Sequence, residues 1–149
     1  MNGMNVLFSS ASEEWGTPQD LFDELNSVYN FTLDPSASDY NHKCEKYFTK
    51  DDDGLSKSWS GETVFCNPPY GRHIGDWVKK AYDESLKGTK IVMLIPARTD
   101  TRWFHDYIYR KNNVRVEFIR GRLKFADCLN REKKTNSATF PSMLVFFNL

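Results

Sequence analysis

Four consecutive residues, Asn67-Pro68-Pro69-Tyr70, are the part of this chain best suited to do chemistry. Two prolines remove two backbone donors and stiffen the segment. What remains is a row of acceptors, the Asn67 side-chain carbonyl and the Pro68 backbone carbonyl, with the flat ring of Tyr70 beside them. Such a device grips an exocyclic amine through two accepted hydrogen bonds and stacks the ring that carries it. The plainer alternative is a strand-ending Pro-Pro turn with Tyr70 as core filling. The segment follows Thr63-Val64-Phe65-Cys66, a buried-strand candidate that the prolines must end. Two other segments, Asp34-Pro35-Ser36 and Pro96-Ala97-Arg98-Thr99, also fall at the ends of predicted strands. Ligands of open α/β sheets bind outside the carboxyl ends of the strands. The three segments therefore share one rim.

The elements that must position this rim follow from periodicity. Thr17-Pro18 opens a helix, TPQDLFDELNSVY, with Thr17 as N-cap, Pro18 at the first helical position and Asp20 in the first turn. Leu21, Phe22, Leu25 and Val28 recur at helical spacing. Phe31-Thr32-Leu33 reads as a short strand ending at Asp34-Pro35, and residues 36–60 as loop, with Asp51-Asp52-Asp53-Gly54 a strong turn signal. A helix over Asp76 to Lys87 turns Trp77, Ala81 and Leu86 inward and stops at Gly88. Ile91-Val92-Met93-Leu94-Ile95 has the unbroken apolar character of a parallel strand covered on both faces, closed by Pro96. A helix over residues 101–111 carries Trp103, Phe104, Tyr107 and Ile108. Val114 to Ile119 alternates as a strand, and Met143 to Phe147 is the last strand. These two, joined by a long basic loop (residues 126–141), are expected to pair as an antiparallel edge. The order implies a three-layer α/β sheet with helices on its faces.

A chain of 149 residues with 40% hydrophobic and 27% charged content is long enough for one domain with a real core. It has no apolar run of membrane-spanning length and no secretory pattern at its start, so the expected compartment is the cytoplasm. Residues 1–12 are expected to form a loose arm. Three widely spaced cysteines, Cys44, Cys66 and Cys128, argue against a disulfide scaffold or a structural zinc site. The formal net charge of +0 hides a split: residues 1–75 hold twelve acids and five bases, residues 76–149 eight acids and fifteen bases. That polarisation suggests a basic face able to meet phosphates. Two solvated surfaces that happen to segregate would give the same count.

The run Cys66-Asn67-Pro68-Pro69-Tyr70-Gly71-Arg72 after a short strand resembles the amino-methyltransferase motif of S-adenosylmethionine-dependent enzymes. The wider chain resembles the phage-type DNA adenine-N6 methyltransferases, a small Dam-like family. The supporting segments are Glu14 to Pro18 with Leu21-Phe22, Leu33-Asp34 with Ala37, and Lys46 to Thr49 with Asp53-Gly54-Leu55 and Trp59. They continue through Asn67 to Gly71, Pro96 to Thr99 with Trp103-Phe104, and Phe118 to Phe125, covering residues 14–147. The ordered set is far more specific than the tetrapeptide, which RNA and protein methyltransferases share.

The resemblance implies a three-layer Rossmann-like methyltransferase fold, a mostly parallel sheet with an antiparallel C-terminal strand. It implies one catalytic domain over residues 1–149 without a separate target-recognition domain. The implied cofactor is S-adenosylmethionine, with no metal, and the implied substrate is adenine flipped out of DNA. The implied partner is DNA in duplex form, with no membrane; the oligomeric state stays open, and GATC as target follows by family analogy alone. Asn67, Pro68, Pro69 and Tyr70 would be catalytic. Asn67 and the Pro68 carbonyl would hold the N6 amine, and Tyr70 would stack on the base. Trp15, Thr17, Pro18, Asp34, Pro35, Ala37, Asp53, Leu55 and Asn67 would hold the cofactor, while Asp51 and Asp52 serve the turn. One departure stands out: Asp34-Pro35-Ser36-Ala37-Ser38 replaces the Gly-rich turn common after the first strand of methyltransferases. Arg72, Arg98, Arg102, Arg120, Arg122, Lys124, Arg131, Lys133 and Lys134 are the DNA-facing candidates, acting on phosphates. Two rival readings remain. One is an RNA or protein-glutamine amino-methyltransferase, separated by nucleoside analysis. The other is a degenerate methyltransferase fold kept as a binding module, separated by cofactor binding.

Overall fold

The computed structural model describes residues 15–126 and 134–149. Three helices are described: α1 (Gln19–Tyr29), α2 (Ile74–Ser85) and α3 (Arg102–Tyr107). The strands are β1 (Leu33–Asp34), β2 (Lys46–Tyr47), β3 (Thr63–Cys66), β4 (Lys90–Pro96), β5 (Val114–Phe118), β6 (Lys124–Ala126), β7 (Lys134–Ser137) and β8 (Ser142–Phe147). Six of them form one sheet in the order β2-β1-β3-β4-β8-β5, and β6 and β7 make a separate two-stranded ribbon.

The sheet is mostly parallel. β2, β1, β3 and β4 run together, and β8 inserts antiparallel between β4 and β5, leaving β5 at the edge. The antiparallel pairing of the last two strands of the sheet is thus as expected. β4 is the centre. Ile91 to Ile95 are all fully buried, which is what an unbroken apolar run requires. The paired residues Phe65, Val92 and Phe146 project to one face, since side chains alternate along a strand. Helix α1 packs there through Phe22 on Phe65 (ring centroids 5.2 Å) and Tyr29 on Phe146 (5.8 Å). Helix α2 packs against α3 and touches β4 and β8.

Several local expectations are corrected. Helix α1 starts at Gln19 with Pro18 at the cap position and no side-chain cap, because the Thr17 hydroxyl is engaged elsewhere. Val28 is exposed, and Tyr29 takes the inward place. The first strand is Leu33–Asp34 rather than Phe31 to Leu33. Residues 36–60 contain β2 and a 3-10 turn (Gly54–Ser56). Leu86 lies past the end of α2 and is 64% exposed. Helix α3 ends at Tyr107, since Ile108 and Arg110 leave helical geometry, Arg110 with φ of 58°. The connection between β5 and β8 is not a plain loop but carries the β6–β7 ribbon. The N-terminal arm (residues 1–12), Cys128, Arg131 and Lys133 lie outside the described residues.

Candidate active site

β1, β3 and β4 run parallel, so Asp34, Asn67 and Ala97-Arg98 leave the sheet on one rim. Between the first two opens a cleft of about 200 Å³. Its walls are residues 15–17, 34–38, Asn41, Lys43, Thr49, Lys50, Asp53, Gly54, Phe65, Asn67, Pro68, Pro69 and Trp77.

Asn67 holds the decisive geometry. Its Nδ2 donates to the Trp15 carbonyl and to Thr17 Oγ1 (3.0 Å). A backbone carbonyl can only accept, so the amide orientation follows from its partners rather than from assumption. Its Oδ1 is buried and has no hydrogen-bond partner. No described residue donates to the neighbouring Pro68 carbonyl. An unsatisfied buried acceptor costs about 1–3 kcal/mol, so it marks a place where a donor arrives. Asn41 Oδ1, on the same cleft, is likewise buried without a partner.

Tyr70 sits differently from Asn67. It is 4% exposed, and its hydroxyl donates to the Leu94 carbonyl at 2.9 Å. Its ring meets Phe125 and Phe140 edge to face (6.1 and 5.8 Å), and both of these meet Trp15 (5.4 and 5.3 Å). Tyr70 therefore lies in the core under the β6–β7 ribbon, not on the cleft wall. Burial pushes its phenol well above the usual range.

Asp34 is buried at the head of the cleft, and its Oδ2 accepts from the Lys43 N–H at 2.9 Å. Burial raises its carboxyl from 3.8 to about 6; the backbone donors of Lys43 and Ser36 and the charges of Lys43 and His42 restrain the rise. Asp53, at φ 57°, opens the 3-10 turn and is exposed on the cleft. The turn is fixed from below. Trp59 Nε1 donates to the Gly54 carbonyl (3.0 Å), and its N–H to Glu84 Oε1 (2.7 Å). Asp52 accepts from the Thr49 N–H (2.9 Å) and serves the turn. A side chain at Gly54 would collide with the Pro35 carbonyl. Gly54 is thus the residue that lets the 3-10 turn close against the segment after β1.

The cleft gathers Trp15, Thr17, Asp34, Pro35, Ala37, Asp53 and Asn67 from the cofactor set. Pro18 and Leu55 lie off its lining, Leu55 against the core. Asn41, Lys43, Lys50, Thr49, Ser36, Ser38 and Trp77 also line the cleft, outside the set that the sequence motifs mark. Asn41 and Lys43 reach the cleft from the stretch before β2, and Trp77 from α2. Arg72, Arg98, Arg102, Arg120, Arg122 and Lys124 are all exposed and make no ion pair with the described residues. β5 runs parallel to β4, with β8 between them, so Arg120 and Arg122 follow it in the chain on the Asn67 rim of the sheet. Thr101 fixes that corner: its Oγ1 donates to the Arg98 carbonyl (2.8 Å) and accepts from the Phe104 N–H (3.2 Å). Lys134 is the first residue of β7.

Among the described residues no three His, Cys, Asp or Glu side chains could hold a metal ion, and no helix is long and apolar enough to cross a membrane. Cys44 and Cys66 are buried, and burial pushes the Cys44 thiol up to about 12 and that of Cys66 well above its usual range. Neither is poised as a nucleophile.

Fold and site thus define a mixed α/β protein with a six-stranded, mostly parallel sheet and, at its carboxyl rim, a cleft-lining asparagine whose amide oxygen is buried without a partner. The chain belongs to the DNA N-6-adenine-methyltransferase (Dam) family, whose model matches residues 6–149. It is 34% identical over 107 residues to the DNA N-6-adenine-methyltransferase of Escherichia phage T1, covering 70% of this chain and 44% of that one. It is 30% identical over 143 residues to the protein of the same description from Haemophilus phage HP1, covering 93% of this chain and 80% of that one. The chain therefore spans less than half the length of the first relative and most of the second.

Proposed function

We propose that this chain transfers a methyl group from S-adenosylmethionine to the N6 amine of adenine in DNA, as its family and phage relatives are described. The observation that carries the reading is the buried, unpartnered Oδ1 of Asn67, next in the chain to a Pro68 carbonyl to which no described residue donates. An exocyclic amine has two hydrogens and needs two acceptors. Accepting both leaves the nitrogen richer in electron density and fixes the direction of its lone pair. Neither acceptor has a hydrogen of its own to offer, so a carbonyl group in the same place would meet repulsion, and a hydroxyl, with one hydrogen, could satisfy only one of the two. The reaction needs no enzyme nucleophile, consistent with the two buried thiols.

The chemistry of the cleft fits the proposed cofactor. Asp34 and Asp53 offer carboxylates to an ammonium and to ribose hydroxyls, Lys43 and Lys50 lie on the same wall for a carboxylate, and Trp15 and Trp77 give apolar surface. When bound, S-adenosylmethionine supplies an electrophilic methyl on a sulfonium. The described residues share one core and act as a single catalytic unit, in a three-layer Rossmann-like arrangement with α1 on one face. Duplex DNA docks on the rim through Arg72, Arg98, Arg102, Arg120, Arg122 and Lys124, and Arg131, Lys133 and Lys134 are further phosphate-contacting candidates from the sequence alone. The target base leaves the stack at a cost of a few kcal/mol. Tyr70 supports this site from the core, under Phe125 and Phe140.

Nucleoside mass spectrometry tests the reading. Labelled S-adenosylmethionine is incubated with the protein and, separately, unmethylated duplex DNA, single-stranded DNA and RNA. Labelled N6-methyladenine in the DNA digests is the expected result. Label in RNA alone, or no cofactor binding by calorimetry, would overturn it in favour of an RNA enzyme or a binding module respectively.

A further inference from the structure

The Asn67 amide is useful to an incoming amine only in one of its two orientations. A rotation of 180° about its last torsion exchanges Oδ1 and Nδ2 and presents two donors where an acceptor is required. In the structure both hydrogens of Nδ2 are taken, one by the Trp15 carbonyl and one by Thr17 Oγ1 at 3.0 Å. A rotated amide would lose the bond to the Trp15 carbonyl and set its oxygen against that carbonyl oxygen, while the Thr17 hydroxyl could donate to the rotated oxygen as it now accepts from the nitrogen. Thr17 is 3% exposed, so no water replaces its hydroxyl without repacking. The segment that bears both acceptors is itself held down. Gly16 O accepts from the Ala126 N–H of β6 at 2.7 Å, and the two residues form an antiparallel bridge. A side chain at Gly16 would come within 2.6 Å of the Ala126 carbonyl oxygen, so only hydrogen fits between Gly16 and β6.

We infer that Thr17 is a positioning residue for the reaction: its hydroxyl, accepting from Nδ2, holds in place the Asn67 amide that the Trp15 carbonyl orients with its oxygen toward the substrate amine. The assignment rests on the methyltransferase reading for its consequence, and on the hydrogen-bond geometry alone for its structure. It separates Thr17 from the cofactor-holding group and predicts an effect on the rate of transfer rather than on ligand affinity. Thr17→Val keeps the shape and removes the acceptor. Single-turnover methyl transfer at saturating cofactor and DNA should fall about tenfold, the weight of one modest hydrogen bond. The dissociation constant for S-adenosylmethionine and the KM for DNA should stay within about twofold. Thr17→Ser, which restores the hydroxyl, should return the rate to within about twofold of wild type.

Nuclear magnetic resonance of the selectively labelled side-chain amide supplies the readout independent of activity. In the wild-type protein both Asn67 Nδ2 hydrogens should be protected from exchange and shifted downfield. One of them should lose that shift in Thr17→Val and regain it in Thr17→Ser. Should Thr17→Val fail to fold, the wild-type measurement still decides, because unprotected Asn67 hydrogens overturn the assignment. A Thr17→Val protein with wild-type rate and shift, or one whose loss follows cofactor affinity, overturns it too. If the wild-type protein methylates no adenine while the amide hydrogens behave as described, the functional reading fails and the Thr17 contact stands.

Discussion

Two asparagines stand on opposite rims of the sheet, and their amides are treated in opposite ways. Asn148 follows β8 and adopts φ of 62°. Its Nδ2 donates to the Ser85 and Thr89 carbonyls, both at 2.8 Å, and its Oδ1 accepts from Asn113 Nδ2 at 3.3 Å. Every polar atom of that amide is spent on tying α2, β5 and β8 together. Asn67 follows β3 on the other rim and spends only its nitrogen. Its oxygen is buried and waiting. Folding alone tends to satisfy buried polar groups, so the Asn148 pattern is what stability produces. The Asn67 pattern carries a cost that stability does not explain, and a ligand that brings a donor recovers it. The same contrast recurs within the turn itself, where Tyr70 has its hydroxyl and its ring fully engaged three residues further on.

The comparison breaks most directly by removing each amide. Asn67→Ala should reduce methyl transfer by two to three powers of ten, the usual weight of a lost polar group at a reacting centre, with cofactor affinity within a few-fold. An equal loss of transfer and binding would move Asn67 into the cofactor site. Asp34 gives the next effect. Its carboxyl is raised by burial to about 6, so the folded state favours the protonated form. Its stabilising contribution is full below about pH 4 and is lost as pH rises through 6. Asp34→Asn should therefore gain stability relative to wild type across that window, on the order of 2 kcal/mol by pH 7, in denaturant titrations at several pH values. Cofactor affinity should move the other way, weakening in the wild type below about pH 6 as the carboxylate takes its proton. Flat curves for both would remove Asp34 from the cleft chemistry.

Asn148→Ala is the counterpart to Asn67→Ala. It should cost about 2 kcal/mol in unfolding free energy, since two carbonyls lose their donors, and leave transfer per folded molecule unchanged. Loss of activity without loss of stability would erase the distinction between the rims. The smallest effect concerns the basic residues on the Asn67 rim. Replacing Arg120 and Arg122 together by Gln should weaken DNA binding several-fold and lower the slope of log affinity against log salt by about 2. An unchanged slope would take the end of β5 off the DNA surface.

Much of the Asn67 rim is legible in the sequence, because its elements are marked by strong local signals. A five-residue apolar run makes β4, two prolines end β3, and Asp52 caps its own turn. Those signals suffice to align Asp34, Asn67 and Arg98. The cleft's far wall is not legible, since Asn41, Lys43 and Trp77 arrive there through long-range packing that no periodicity encodes. Thr17 shows the limit clearly. Its residue type and place before Pro18 fit an N-cap, yet a tertiary partner fifty residues away claims the hydroxyl. Tyr70 shows the other side: an aromatic residue after the prolines fits a stacking platform and core filling equally, and only Phe125 and Phe140 reveal which contacts it makes. The β6–β7 ribbon is not legible in the sequence because its strands are short and lie within a charged stretch.

The central claim is that the spare oxygen of Asn67 accepts the amine of an adenine in DNA. The most direct measurement is nucleoside mass spectrometry on duplex DNA treated with labelled S-adenosylmethionine and either wild-type protein or Asn67→Ala protein matched for folded content. The account predicts labelled N6-methyladenine with the wild type and at most about one hundredth of it with the variant. Equal label from both proteins, or none from a folded wild type that binds the cofactor, would contradict it.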